Sequence, residues 1–188
     1  MKILIILCFT IMSFSAQADW KLNNDQSSIN FISIKKSSVG EVHTFKSLSG
    51  SLKEGKASVS IDLSSVDTNI PIRNDRMKSM LFEVAKFLSA TVTTTIDQSK
   101  VASLNDGESF QESVKLLLTL HGVTNEVSSV VQVVKLTNNR ILVNATHPII
   151  IKAADFGLVD GIEALRNIAK LPVISTAVPV TFTLLFEN

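Results

Sequence analysis

Val178-Pro179-Val180-Thr181-Phe182-Thr183-Leu184-Leu185-Phe186 places Val178, Val180, Phe182, Leu184 and Phe186 on one parity. Side chains of an extended strand point alternately to its two faces, so this stretch offers one continuous apolar face. The same period-two pattern returns over residues 57–63, where Ala57, Val59, Ile61 and Leu63 alternate with Ser58, Ser60 and Asp62. It returns again at Val114, Leu116, Leu118 and Leu120, and at Ile141, Val143, Ala145, Ile149 and Ile151. Weaker runs lie at 29–34, 42–52, 66–70, 90–96 and 127–136. In the first of these, Ile29 and Phe31 share one parity and Ile32 and Ile34 the other, which predicts a bulge or burial on both faces.

Turn residues separate the runs, at Lys53-Glu54-Gly55-Lys56, Asn105-Asp106-Gly107, His121-Gly122 and Asn138-Asn139. The short spacings predict antiparallel hairpins. Two stretches depart from the pattern. In residues 73–84, Met77, Met80, Leu81 and Val84 fall at i, i+3, i+4 and i+7, which is one helical face. In residues 160–171, Asp160 and Glu163 are spaced as a capping box, Ile162, Leu165, Ile168 and Ala169 form a stripe, and Pro172 follows. Pro179 inside the last strand predicts an edge or a bulge.

Eight or nine short strands must manage their edges, which a closed barrel removes and a sandwich hides. Their polar parity is rich in Ser, Thr, Lys and Asp, so it faces water and the apolar parity faces inward. A transmembrane barrel would invert this and needs aromatic girdles. With no Tyr, Trp20 alone and eight Phe scattered beyond residue 18, girdles cannot be built. The expected fold is an all-β, extended antiparallel barrel of about eight strands with two short helices.

Residues 1–18 have the layout of an export signal: Met1-Lys2, an apolar run from Ile3 to Met12, and Ala16-Gln17-Ala18. The run is too short to span a bilayer, which takes about 20 residues. Cleavage near Ala18 would leave residues 19–188 as one domain, delivered to the periplasm. The single Cys, Cys8, lies in the leader, so the mature chain has no disulfide and depends on its core. The 188 residues are 45% apolar and 19% charged, which excludes a disordered chain. Without Lys2 the basic residues number 17, equal to the 17 acidic ones. A zero net charge gives no basic field, so nucleic acid is not an expected partner.

Four segments carry a resemblance. They are Ser27-Ser28-Ile29-Asn30-Phe31; residues 60–69 followed by Arg73-Asn74-Asp75-Arg76-Met77-Lys78-Ser79-Met80-Leu81-Phe82; Leu118-Thr119-Leu120-His121-Gly122-Val123-Thr124; and Asp155-Phe156-Gly157-Leu158. In this order, over nearly the whole mature chain, they resemble the YceI-like family. The resemblance implies a periplasmic, lipocalin-like barrel that holds a long-chain apolar amphiphile, such as a polyisoprenoid. This chain departs from the family pattern at Gln26, Arg76-Met77, Leu81 and Ala153, positions where a polar or aromatic group is usual. The departures bear on the ligand's head group and leave the apolar barrel intact.

No Gly-x-Ser-x-Gly elbow and no mature Cys nucleophile occur, and His43, His121 and His147 have no metal-ligand spacing. No catalytic residue, metal or cofactor is therefore expected, beyond a bound polyisoprenoid or quinone-like lipid. His121 reads as a turn residue, and His43, near Phe45, as a residue at the barrel mouth. Asp62 and Asp67 read as outward or capping carboxylates. Expected ligand contacts are Phe31, Phe45, Val59, Ile61, Leu63, Leu116, Leu118, Leu120, Val180 and Phe182 on the strands, with Phe156 near the end. Arg73, Met77, Met80 and Leu81 join them on the first helix. Arg73 reads either as part of a solvated ion cluster or as a group for an anionic head. Parity alone does not separate lining residues from ordinary core.

Three functions fit these readings. The first is a carrier or store for one long-chain lipid, in transient contact with the membrane. The second is an isoprenoid-quinone-binding accessory of a membrane cytochrome b-type redox system. The third is a ligand-free barrel acting in stress or protein interaction, its lumen filled by its own side chains. A homodimer is compatible with each.

Overall fold

A computed structural model describes residues 19–188. The export segment expected at 1–18 lies outside the described residues. Twelve strand segments form one antiparallel sheet: β1 Trp20–Leu22, β2 Ser28–Lys35, β3 Val39–Phe45, β4 Leu48–Lys53, β5 Lys56–Asp62, β6 Val66–Asp67, β7 Ser89–Thr95, β8 Ser109–Leu120, β9 Val123–Leu136, β10 Arg140–Ala145, β11 Ile149–Lys152 and β12 Ala177–Glu187. Four pairs of them are single strands broken by a kink. β1 and β2 lie along one side of β12, while β10 and β11 lie along its other side. β3 and β4 run beside β2 and β1, and β5 and β6 run beside β4 and β3. Joining these pairs leaves eight strands in sequence order, closed where β12 meets β1 and β2. The expected eight-strand antiparallel barrel is what forms.

The kinks explain why several runs read as weak. Residues 42–52 are two strands separated by Lys46-Ser47, and only Val66–Asp67 of the run at 66–70 pairs. β2 carries no bulge in its pairing with β3. Its outward residues are flanked by the segment near Ile174, where Ser175 N–H donates to Ile34 O at 2.8 Å. Pro179 pairs opposite Ile150 on β11 and lies just beyond the β2 ladder, which ends at Val180. Its missing N–H thus falls at an edge, as expected.

The strand ends divide into a top and a bottom. The bottom carries the β4–β5 and β9–β10 turns and a short helix, α2 (Gln98–Ser103), capped by Asp97, which accepts from Ser99 and Lys100 N–H. This helix was not expected from the sequence. The top carries the β2–β3 and β8–β9 turns, α1 (Pro71–Arg76) and α3 (Val159–Ile168). The β8–β9 turn has positive φ at both His121 (52°) and Gly122 (77°). A Cβ on Gly122 would also sit 2.8 Å from Phe87 Cε1, so only glycine fits there.

α1 continues into a widened turn, Met77–Leu81, in which Phe82 N–H donates to Met77 O, i to i+5, at 2.9 Å. The extra residue turns Leu81 and Phe82 inward, while Met80 and Val84 of the expected stripe stay half-buried. α3 forms without the expected capping box. Its N-cap is Leu158, and Glu163 instead accepts from Arg166 Nε–H at 2.7 Å. The two lid pieces meet at Gly161, where a Cβ would lie 2.7 Å from Met80 O and 2.9 Å from Leu81 Cα.

Candidate ligand site

The barrel encloses a cavity. The space open to the centre of a water-sized sphere is about 220 Å³, against roughly 10–15 Å³ for one water on that measure. Every residue lining it is apolar except Thr94, whose hydroxyl is bound to Lys115 O at 2.8 Å. Water entering such a space finds no partners, so it is a place for hydrocarbon.

The walls follow strand parity. Phe31 on β2 and Phe45 on β3 line it, as do Val59 and Ile61 on β5 and Leu63 just beyond. Val180 and Phe182 on β12 continue the wall beside Phe31, and Leu116, Leu118 and Leu120 on β8 line the cavity as well. Leu81 reaches it from the lid, beside Phe82, Leu158 and Ile162. These are the expected lining positions, brought around one space. Sequence reasoning stopped short of Leu52, Ile96, Val131 and Ile149, which also line it. Ile149 was already assigned to an inward parity; Leu52 and Ile96 sit at run ends where alternation gives no warning.

Four expected contacts lie elsewhere. Met77 is buried in the core but off the cavity, and Phe156, 1% exposed, packs in the turn before α3. Met80 borders a shallow polar crevice at the top with Glu83, His121, Asp160 and Gly161. Arg73 is also off the apolar wall. Its Nη1 donates to Glu41 Oε2 at 2.7 Å and its Nη2 to Thr68 O at 2.7 Å. Glu41 also pairs with Lys35 at 2.9 Å. The hydrogen bond from Lys35 comes first, with Arg73 and Lys35 both attracting the charge, in holding the Glu41 carboxyl below its ordinary range.

His43 is 2% exposed and packs against Phe31, ring centres 5.1 Å apart and planes tilted by 58°. Burial first, then the nearby Arg73 charge, push its pKa down to about 4, so it is neutral at pH 7. His121 holds Glu83 Oε2 at 2.9 Å and its ring packs on Phe87 at 4.4 Å, tying the β8–β9 turn to the lid. Asp62 caps the turn after β5 through Ser64 N–H at 2.8 Å, and Asp67 pairs with Lys46 at 2.7 Å. Both carboxylates have the structural roles expected of them.

No curated protein matches this chain. Among solved structures, a polyisoprenoid binding domain from Saccharophagus degradans, implicated in plant cell wall breakdown, is 45% identical. That match covers 90% of this chain and 98% of that one, with a TM-score of 0.88. BcnA of Burkholderia cenocepacia is 20% identical over 87% of this chain and 98% of its own, with a TM-score of 0.69. The YceI protein of Campylobacter jejuni is 17% identical over 78% and 84%, with a TM-score of 0.54. These last two share the fold. The model of the YceI-like domain family matches residues 20–186, from the first strand to the last, and the chain belongs to that family.

Proposed function

We propose that the protein binds one long-chain apolar amphiphile of the polyisoprenoid type in the barrel, and carries or sequesters it in the periplasm. The observation that carries this reading is the cavity, lined by apolar side chains on every wall but for Thr94. A filled core would have no such space, since interiors pack to near-crystal density. That argues against the ligand-free barrel. The similarity to a polyisoprenoid binding domain supports the same ligand class. The driving force is desolvation: about 2.5 kcal/mol for each ~100 Å² of apolar ligand surface moved out of water, before entropic costs. In this reading the protein binds its ligand and does not transform it. Delivery needs transient contact with a membrane, because such a lipid has no aqueous pool.

The test is to express the full chain, recover it from the periplasmic fraction, and extract it for lipid mass spectrometry. The expected result is a mature chain starting at Asp19 with one stoichiometric isoprenoid lipid. A redox-active isoprenoid quinone in the extract would select the cytochrome-linked form of the reading. No lipid, together with no uptake of added polyprenols, overturns it.

A further inference from the structure

The inward face of the β2–β3 hairpin does not end where the cavity ends. Phe31 lies opposite His43 in the ladder, and Ser33 lies opposite Glu41. By strand parity, Phe31, Ser33 and Lys35 share one face of β2, and Phe45, His43 and Glu41 share the matching face of β3. The wall therefore passes from aromatic to polar within one residue pair. Phe31, Phe45 and Phe82 form the boundary, with ring centres 5.3 to 6.5 Å apart.

Beyond that boundary two buried nitrogens have no hydrogen-bond partner among the described residues. His43 Nε2 is 2.7 Å from Ser33 Oγ, but its Nδ1 is buried and unpaired. Arg73 uses both terminal nitrogens, yet its Nε is buried and unpaired as well. Buried polar groups are nearly always satisfied, and an orphan carries its full desolvation penalty. Arg73 Nε–H can only donate. His43 is neutral, and when its Nε2 accepts from the Ser33 hydroxyl, its Nδ1 carries the proton and donates. An acceptor oxygen satisfies such groups; an alkyl chain does not.

We propose, building on the lipid-binding reading above, that this cluster is the head-group site: a carbonyl-type oxygen at the polar end of the lipid accepts from His43 Nδ1–H, with Arg73 Nε–H as a second donor, while the tail runs past Phe31, Phe45 and Phe82 into the cavity. Glu41, held by both Lys35 and Arg73, fixes the guanidinium in place and compensates one of the two cations. A neutral head suits a pocket whose His43 ring lies against Phe31. Ketone, amide and quinone carbonyls share this chemistry.

The experiment uses the mature protein stripped of lipid and two probes with the same prenyl chain, one ending in a quinone and one a plain hydrocarbon. The protein binds the quinone about tenfold more tightly than the hydrocarbon, the scale set by one satisfied buried donor. His43→Phe keeps a ring packed against Phe31 but removes both nitrogens. It abolishes that preference and leaves hydrocarbon affinity within about twofold, since no hydrocarbon contact is lost. In the unmutated protein, the 15N signal of His43 Nδ1 moves with the quinone and not with the hydrocarbon. This readout stands even where the variant does not fold. Equal affinity for the two probes, a preference that survives His43→Phe, or a static Nδ1 signal overturns the head-group site while lipid binding stands. Failure to bind either probe overturns the lipid-binding reading itself.

Discussion

The β2–β3 and β8–β9 hairpins both turn at the top of the barrel, and their inner surfaces differ there. On β8, Val114, Leu116, Leu118 and Leu120 present an apolar wall that runs to the top, above Glu112, which shares their parity near the bottom and pairs with Lys100 at 3.0 Å. On β9 the inward set is Val127, Ser129, Val131 and Val133. On β2–β3 the inward set begins with Ile29, Phe31 and Phe45 and ends with Ser33, His43, Glu41 and Lys35. Strand period thus yields an inward face that is apolar up to the top in one hairpin and one with a polar terminus at the top in the other. The difference teaches that period fixes which residues face inward, while the ion network of Arg73, Glu41 and Lys35 decides whether polar groups there are tolerated.

The comparison breaks most sharply under a polar substitution on the apolar hairpin. Leu116 is 8% exposed and lines the cavity. Leu116→Asn removes a buried leucine and leaves an amide with no partner on its wall. The expected loss is about 3–5 kcal/mol, read from urea denaturation midpoints. A loss below ~1 kcal/mol would mean that water already reaches this wall.

Acidification tests the polar hairpin. The folded pKa of His43 is about 4, below the roughly 6.5 of an unfolded histidine. Between these values the unfolded chain binds the proton and the folded chain does not. The contribution of His43 is therefore full above about pH 6.5, falls as pH drops towards 4, and levels off below, where the carboxylates take over. The loss from His43 is about 3 kcal/mol. His43→Phe should flatten this part of the pH–stability curve, and a curve unchanged by the substitution contradicts a buried neutral His43.

The lid joins the two hairpins unequally. On the β9 side Asn125 Nδ2–H donates to Asp155 O at 2.6 Å, and on the β2 side the backbone after α3 pairs with Ile34 and Lys36. Between them the lid depends on Gly161 having no side chain. Gly161→Val forces α3 away from Leu81, at a cost of about 1–3 kcal/mol. Hydrogen exchange should quicken in α3 and the 77–82 turn, and bound lipid should leave faster. Faster exchange without faster lipid release would move the entry route away from the top.

How much of this was legible follows from what period two can carry. Val59, Leu118 and Val180 were readable as lining because each sits mid-run, with parity confirmed on both sides. The barrel closure was readable in outline, but the kinks at Lys46-Ser47 and between β1 and β2 were not, since inward parity switches across them, from Phe45 to Leu48 and from Trp20 to Ile29, and a switch reads as weak alternation rather than as two strands. Phe82 was hidden by the widened turn, which breaks the 3.6-residue period on which the stripe from Met77 to Val84 relied. α2 was signalled only by the capping Asp97, with too few residues after it for a stripe. The polar cluster was hidden because its members are non-adjacent in sequence. Glu41 and Arg73 meet only after the chain has passed through β4, β5 and β6.

The finest separation of the two hairpins comes from their two inward serines. Ser33 Oγ has a short bond to His43 Nε2 at 2.7 Å. Ser129 is 5% exposed, and its hydroxyl has only its neighbour's carbonyl, Val130 O, at 3.5 Å, too long to count for much. Ser33→Ala should therefore cost about 1–2 kcal/mol, because it leaves His43 with no partner at either nitrogen. Ser129→Ala removes a poorly satisfied buried hydroxyl from an otherwise apolar face, and should be neutral or stabilising by up to about 1 kcal/mol. Thermal denaturation of the two variants at pH 7 reads the difference directly. Opposite signs mean that the hairpins differ in polar satisfaction rather than in composition. Equal losses would mean that Ser129 also has a partner, and the β8–β9 wall would then carry a polar station of its own.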